Sequence, residues 1–443
     1  MISSLTIRNF KSYEEATLPL SRMTFLIGPN ASGKSNALEA LRLLNWLAKG
    51  SRLDDIERNI LGADTLIRGQ ASDLFLDKNK NLSFDCDIPL AMRNLGLSNS
   101  DNFHIALGIV AEKLTLTEES LGQPSSKNWL YSVDGIPNVS TNTVYVMYDN
   151  FLQGGNKPRI TCSSQQAIFY QLETPGRFEE KHKKSQKLIP TATKRIREAL
   201  QNIVFLDPNP SAMRSYSFAK NDDEIKENGS NVSSVLYRIC NQGGAEKEEL
   251  LKFVCSLPEQ DITDISFIKT ERSDVMVRLH ESFGGRERVV DAPLLSDGTL
   301  RVLSIAATLF SARDNSLVII EEVDNGVHPS RAETLVNQIL QIASARNLQV
   351  LITSHNPALL DAVPDKALGD VLCCYRDIIT GFSKIMRLKD LDRYPILVAQ
   401  GSLGQLATKR ILERFLKDNT TSQERKAAAL SWLDDLKQEG AAQ

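Results

Sequence analysis

The chain has 443 residues, 42% of them hydrophobic and 24% charged, with a formal net charge of −3. That profile excludes a disordered or fibrous chain, and its near-neutral balance excludes a protein that coats nucleic acid by bulk charge, leaving room only for a local basic groove. The length suffices for two or three ordinary domains, or for one large core with insertions.

No apolar run approaches the length of a membrane span, and the first residues lack the pattern of a cleaved leader, so a cytoplasmic protein with no membrane contact is expected. Six cysteines (Cys86, Cys162, Cys240, Cys255, Cys373 and Cys374) form no C-x-x-C pair and no zinc pattern with the five histidines. Reduced thiols in or near the core are the expectation.

Taken in chain order, residues 4–27 read as two strands joined by a short polar stretch, with alternation at Leu5 and Ile7 and an apolar final run from Met23 to Ile27. The stretch that follows, IGPNASGKSN, fits the template G-x-x-x-x-G-K-[ST] with Gly28, Gly33, Lys34 and Ser35 in the fixed places. Glycines let the backbone curl until amide groups converge on phosphates at the positive end of the next helix. Pro29, Asn30, Ala31, Ser32 and Asn36 complete the cradle. Lys34 can reach the β- and γ-phosphates of a nucleotide, and the Ser35 hydroxyl is placed for Mg²⁺. The helix expected next carries Leu38, Leu41, Leu44, Trp46 and Leu47 on one apolar side and stops near Gly50.

From about residue 81 to 150 the runs NLSFDCDIPL, NFHIALGIVAEKLTLTEE, WLYSVDGI and NTVYVMYDN predict antiparallel hairpins. Residues 176–203 have helical composition broken by Pro190, which predicts a helical pair or a broken helix. The basic run Lys181 to Lys187, with Lys194, Arg195 and Arg197, could follow a phosphate backbone, but Glu179 and Glu180 adjoin it and a solvated helix face is favoured. IVFLD at Ile203 to Asp207 is a short buried strand, and NDDEIKENGSN after it should be an exposed loop. Two helices, around SSVLYRICN and EKEELLKFVCSL, precede a hairpin of DITDISFIKT and DVMVRLHE. In the last third helices alternate with the strands SLVIIEE and LQVLITS, the pattern of a parallel sheet with crossovers that the strand at Met23 must join. After Lys389 the tail is expected to be helical, its stripe of Leu406, Ile411, Leu412 and Phe415 packing inward.

Three further stretches carry chemistry. Glu321 and Glu322 end an apolar strand, where open α/β sheets bind ligands; Glu321 is assigned to the metal, through water, and Glu322 to the attacking water as its base or orienter. His355 ends another strand and can sense the γ-phosphate or the catalytic carboxylate. Ser296, Asp297 and Gly298 open a helix, a second anion-binding geometry that is also an ordinary helix cap.

IRNFKSYEEATLPLSRMTFLIGPNASGKSN, LLSDGTLR, IIEEVDNGVHP and ITSHNPALLD together resemble the Walker A, signature, Walker B with D-loop, and switch-histidine motifs of ABC-type ATPases of the RecF/SMC/OLD branch. The resemblance implies an α/β fold: an ABC-type P-loop head with a mixed parallel core sheet, an antiparallel β lobe, a helical insertion and a helical tail. Its expected divisions are 1–85, 86–285, 286–389 and 390–443. It further implies ATP and Mg²⁺ as cofactors and a homodimer, open to higher assembly, in which Ser296, Asp297 and Gly298 grip the γ-phosphate held by a second chain's P-loop. Asp324 and Asn325 would take the D-loop place. Within the branch the chain looks like the ATPase subunits of anti-phage systems of OLD-like, Septu and AbiL type, which implies a partner effector, a nuclease or toxin encoded nearby. Glu321 stands where transporter ATPases carry Asp, and Val323 where Pro is usual; Gln70 is the one guess for a Q-loop. The stretch after His355 is too short for a Toprim domain, so no nuclease activity is expected of the chain itself. A RecF-like repair ATPase that binds DNA directly and a non-hydrolysing, ATP-stabilised scaffold are the alternative readings.

Overall fold

The computed structural model describes residues 1–56, 68–89, 102–123, 128–152, 156–219, 224–255, 261–323, 328–391 and 394–417. Residues 4–27 form three strands rather than the expected two. β1 (Ser4–Phe10) and β2 (Tyr13–Pro19) pair antiparallel at the edge of one sheet, whereas β3 (Met23–Ile27) lies inside another. Burial explains the split. Inward positions of β1 and β2 alternate with half-buried or exposed ones, while all five residues of β3 are buried, as a strand covered on both faces requires.

The expected hairpins extend the β1–β2 pair into an eight-stranded antiparallel sheet. β4 (Leu82–Asp87), β5 (Asn102–Val110), β6 (Lys113–Gln123), β7 (Asn128–Asn138) and β8 (Thr143–Tyr148) follow in order from β1, and β9 (Arg159–Ser163) closes the far edge. The division expected at residue 85 falls inside β4.

The second sheet holds the site. Its order is β10 (Ile203–Leu206), β15 (Leu317–Ile320), β16 (Gln349–Ser354), β3, β17 (Leu372–Arg376) and β18 (Ser383–Arg387), with only β18 antiparallel. Between β10 and β15 in the chain lies a third, smaller sheet of β11 (Ser217–Phe218), β12 (Asp261–Lys269), β13 (Asp274–Phe283) and β14 (Arg286–Asp291), all paired through β13. Successive residues of the parallel strands face two different cores. Leu26, Leu317, Ile319 and Leu351 pack with α1 (Lys34–Ala48) and the eight-stranded sheet; Phe25, Ile27, Val318, Ile320, Val350 and Ile352 pack on the other face, with the small sheet and the later helices. Each such side chain contributes about 1.5–3 kcal/mol on burial, so a one-residue slip would misplace both sets at once.

Pro190 does not break its helix. After the short α2 (Ile168–Gln171), α3 runs without interruption over Lys183–Gln201. Pro190 is buried with Leu188, Ile189 and Ala192, and Thr193 donates its hydroxyl toward the carbonyls of Ile189 (3.0 Å) and Pro190 (3.2 Å). Packing on α1 outweighs the roughly 3 kcal/mol a mid-helix proline costs. The basic residues beside it are a solvated face: Lys181, Lys194 and Arg197 pair with Glu179, Glu198 and Glu173. The loop expected to be exposed is anchored in its described part, with Ile225 and Asn231 buried. Helices α4 (Val232–Gln242), α5 (Ala245–Cys255), α6 (Asp297–Ser311) and α7 (Ala332–Ala345) match the expected ones. In the tail, Leu406 and Leu412 are buried and Ile411 and Phe415 pack against the same core.

The antiparallel sheet buries one acid. Glu119 accepts hydrogen bonds from Tyr131 Oη (2.7 Å) and the amides of Ile168 (2.7 Å) and Phe169 (2.6 Å), fixing the start of α2. Burial pushes its carboxyl up to about 7, opposed by those three donors. A carboxyl raised on folding binds its proton more tightly in the folded chain, so this contribution to stability is present at low pH and lost as pH climbs from about 4.5 through 7. Unfolding free energies from urea titrations across that window should decline in the parent, by up to ~1.4 kcal/mol per pH unit, and decline less in Glu119→Gln.

Candidate functional site

The carboxyl ends of β3, β15 and β16 point the same way, because the three strands are parallel neighbours in register: Ile320 lies beside Ile352, and Ile352 beside Phe25. The Gly28–Gly33 turn, Glu321 with Glu322, and His355 therefore share one rim of the sheet. A cavity of about 340 Å³ opens there, lined by the loop from Asn30 to Asn36 and by Arg68, Glu321, Glu322, Thr353, Ser354, His355 and Arg376.

The loop's carbonyls are bound by the body of the protein. Lys34 Nζ donates to the carbonyls of Gly28 (2.6 Å) and Pro29 (3.1 Å). Arg376 Nε takes that of Ala31 (3.0 Å), Ser383 Oγ (2.6 Å) and Cys374 Sγ (3.3 Å) that of Ser32, and Tyr13 Oη that of Gly33 (3.0 Å). With the carbonyls drawn outward, the amides at the start of α1 are left for an anion. The helix begins at Gly33 with no side-chain cap and no acid in its first turn. Gly28 and Gly33 have φ of +151° and +120°, and a Cβ on either would collide, with the Cys374 carbonyl or with the Ser383 side chain. Burial lowers the Lys34 pKa, with Cys374 and Glu322 acting in the opposite sense.

On the opposite wall Glu321 is 18% exposed and its Oε1 lies 2.6 Å from Arg42 Nη2. Burial raises its pKa and the Arg42 guanidinium counteracts this. Glu322 adopts left-handed backbone (φ +46°), its amide donating to Thr353 Oγ1 at 3.2 Å, and His355 Nδ1 lies 3.9 Å from Glu322 Oε1. A non-glycine residue in that conformation is strained by about 1–3 kcal/mol, and such strain gathers at functional sites.

The donors suit Mg²⁺. Among the described residues no group of three or more His, Cys, Asp or Glu could hold an ion. Ser35 and Glu321 offer two oxygens at the cavity, which is the usual protein share when phosphate oxygens and water complete an octahedron. The Ser32 hydroxyl, buried in the same loop, has no hydrogen-bond partner among the described residues.

Ser296 caps α6 by accepting from the Thr299 amide (3.1 Å), and Asp297 pairs with Arg214 Nη2 (2.6 Å). Neither these residues nor Gly298 lines the cavity.

Comparison with known proteins matches residues 23–84 and 171–361, more than half of the chain, to the AAA_21 family, described as "AAA domain, putative AbiEii toxin, Type IV TA system". The chain belongs to the AAA_21 family. Among curated proteins it is similar to the DNA replication and repair protein RecF of Leptospira interrogans serovar Lai, 36% identical over 74 residues, which are 16% of this chain and 20% of that one. RecF of Proteus mirabilis is 33% identical over 100 residues, 20% of this chain and 28% of its own. The chain thus spans less than a third of the curated relatives it matches. Among solved structures it is similar to an Smc head bound to the C-terminal winged-helix domain of ScpA (13% identity, TM-score 0.46, 87% of this chain and 96% of that one). A Pyrococcus furiosus Smc head with an extended coiled coil, bound to the C-terminal domain of ScpA, gives 12% identity and TM-score 0.46, over 90% and 99%.

In this AAA_21 head the residues read from the sequence divide in three. Asn30, Ala31, Ser32, Gly33, Lys34, Ser35, Asn36, Glu321, Glu322 and His355 line one cavity, with Gly28 and Pro29 at its root. Ser296, Asp297 and Gly298 lie outside it, and Asp324 and Asn325 lie outside the described residues. Gln70 does not line the cavity; it sits at the start of a short 3-10 turn, its amide bonded to Asp73. Arg68, two residues earlier, does line it, held by the buried Glu39, which also pairs with Lys11. Sequence reasoning passed over Tyr13, Arg68, Cys374, Arg376 and Ser383. Cys374 was expected only as a core thiol, and Tyr13 entered only within the KSY run of the stretch quoted for the resemblance. Gly33→Ala should abolish binding of a fluorescent ATP analogue and lower stability to urea by about 1–3 kcal/mol. Ser383→Ala should fold and cost about 1 kcal/mol, with weaker analogue binding in the same titration.

Proposed function

We propose that this AAA_21 protein binds ATP with Mg²⁺ and hydrolyses it. The observation that carries the reading is the meeting, in one cavity, of the phosphate loop, the paired Glu321 and Glu322, and His355. In this reading the amides of residues 31–35 receive the phosphates, and Lys34 leaves the Gly28 and Pro29 carbonyls for the β- and γ-phosphate oxygens. Ser35 and Glu321 would hold the ion, which would supply positive charge to the phosphate oxygens. Glu322 accepts the proton of the attacking water, and His355 holds the γ-phosphate side of that carboxylate.

Two chains closing head to tail would bring Ser296, Asp297 and Gly298 to the partner's γ-phosphate. Their distance from this chain's own cavity supports that, as does Leu294, an apolar residue 70% exposed two positions before Ser296. Opening and closing would then govern a partner effector, a nuclease or toxin, in anti-phage defence; the family description, with its toxin and TA system, supports this placement. A second reading, a RecF-like ATPase acting on DNA in repair, is favoured by the short stretches shared with RecF.

Glu322→Gln should lower phosphate release by ~10²–10⁴-fold, in the range lost with a general base, and shift ATP-bound protein to a dimer on light scattering. Unchanged turnover would remove Glu322 from the chemistry. Tight binding of the isolated chain to DNA, weakening steeply with salt, would favour the repair reading.

A further inference from the structure

Arg42 lies on α1, eight residues after Lys34, and serves two acids with one nitrogen. Its Nη2 is 2.6 Å from Glu321 Oε1 and is also bonded to Glu227 Oε1, while the guanidinium lies over the Phe205 ring at 5.0 Å. The three groups differ in their surroundings: Arg42 and Glu321 are 15% and 18% exposed, Glu227 48%. Asp207 adds a further negative charge near Glu321. Glu227 belongs to a segment pinned to the end of β10, where the amides of Asp207 and Asn209 donate to the carbonyls of Glu227 (2.9 Å) and Asn228 (3.1 Å). That segment leads directly into α4. Ser233, in the first turn of α4, accepts from the Val277 amide of β13, and α4 packs on α6, the helix that Ser296 opens.

A guanidinium and a divalent cation cannot both have full use of one carboxylate. Two acids and one arginine leave a net negative site that attracts an ion, and the more closely Arg42 holds Glu321 Oε1, the less of that carboxylate's charge is left for the ion. Arg42 has a second acid within reach.

We propose that Arg42 is a positioning residue that partitions between Glu321 and Glu227, releasing Glu321 to a metal–nucleotide complex by passing to Glu227 and so coupling the phosphate site to the 224–231 segment and α4. This rests on the reading of Glu321 as a metal-binding residue. Glu227 is the acceptor that makes the release easy, and Phe205 is the platform on which the guanidinium turns. The consequence is that occupancy at the end of β15 is felt on the face of the molecule that bears the signature turn.

The test uses the full chain, Mn²⁺ as the ion and a non-hydrolysable ATP analogue. Free Mn²⁺ is counted by electron paramagnetic resonance, and analogue binding is measured separately in EDTA. Glu227→Gln should weaken Mn²⁺ binding about fivefold, because Arg42 then has only Glu321, and Arg42→Met should tighten it by a similar factor. Simple loss or gain of nearby charge predicts those same directions. The double variant separates the two, since without Arg42 the Glu227→Gln change should alter Mn²⁺ affinity less than about twofold. Equal effects of Glu227→Gln with and without Arg42, or no effect of it at all, would overturn the proposal. Should Arg42→Met fail to fold, Arg42→Gln takes its place in the cycle, and the half-exposed Glu227→Gln still decides on its own if Mn²⁺ affinity stays unchanged. Hydrogen exchange in residues 224–231 should change on adding Mn²⁺ and analogue to the parent, and not in the Arg42 variant. A parent chain that binds neither analogue nor Mn²⁺ sinks the reading of the site itself and this proposal with it; a parent that binds both, with unaltered variants, sinks this proposal alone.

Discussion

The site depends on how the carbonyls of one turn are disposed of. In residues 28–33 the carbonyl oxygens of Gly28, Pro29, Ala31, Ser32 and Gly33 are each taken by a side-chain donor, from Lys34 or from Tyr13, Cys374, Arg376 and Ser383. The amides are thereby turned the other way. An anion hole made like this is not a property of glycine alone. Gly28 and Gly33 permit the curl, but Tyr13, Cys374, Arg376 and Ser383 hold it, and they come from two different sheets. Asn36 extends the same clamp, donating to Ser12 Oγ (2.7 Å), which lies 2.8 Å from Ser383 Oγ.

Lys34 is the member of that arrangement that belongs to the loop's own helix. Bonded to the loop's own carbonyls, its ammonium is partly desolvated, and burial lowers its pKa. A phosphate would offer it more charge than two neutral carbonyls do.

Legibility in the sequence followed the range of the interactions. β3, β15 and β16 were readable because a strand buried on both faces is written mostly in apolar residues without alternation, and the phosphate loop because four fixed residues sit within eight positions. The partners of that loop were not readable. Cys374 and Ser383 lie more than 300 residues from the carbonyl they hold, in the runs LCCYR and SKIMR, which have no strong period and become strands only by pairing with β3 and with each other. Adjacent Cys373 and Cys374 were expected in the core, and both are there, but pleating sends them to opposite faces and only Cys374 touches the loop. Pro190 misled for the converse reason: a local rule was overruled by packing that the local sequence does not display.

The same distinction between local contact and long-range register governs the rim of the sheet that bears Glu322 and His355. His355 and Glu322 are about half exposed and 3.9 Å apart, a contact worth ~0–1 kcal/mol at most by itself. It cannot be what places them. Placement comes from the pairing of Ile320 with Ile352 and from the Glu322 amide on Thr353 Oγ1, both fixed by side chains buried in two cores. Because Ile320 and Ile352 face the core of α4 to α7 while Ile319 and Leu351 face that of α1, neither core can shift without disturbing the strand ends. The left-handed turn at Glu322 is held by that same two-sided grip, so the strain resides in the backbone and not in the contact its carboxylate makes with His355.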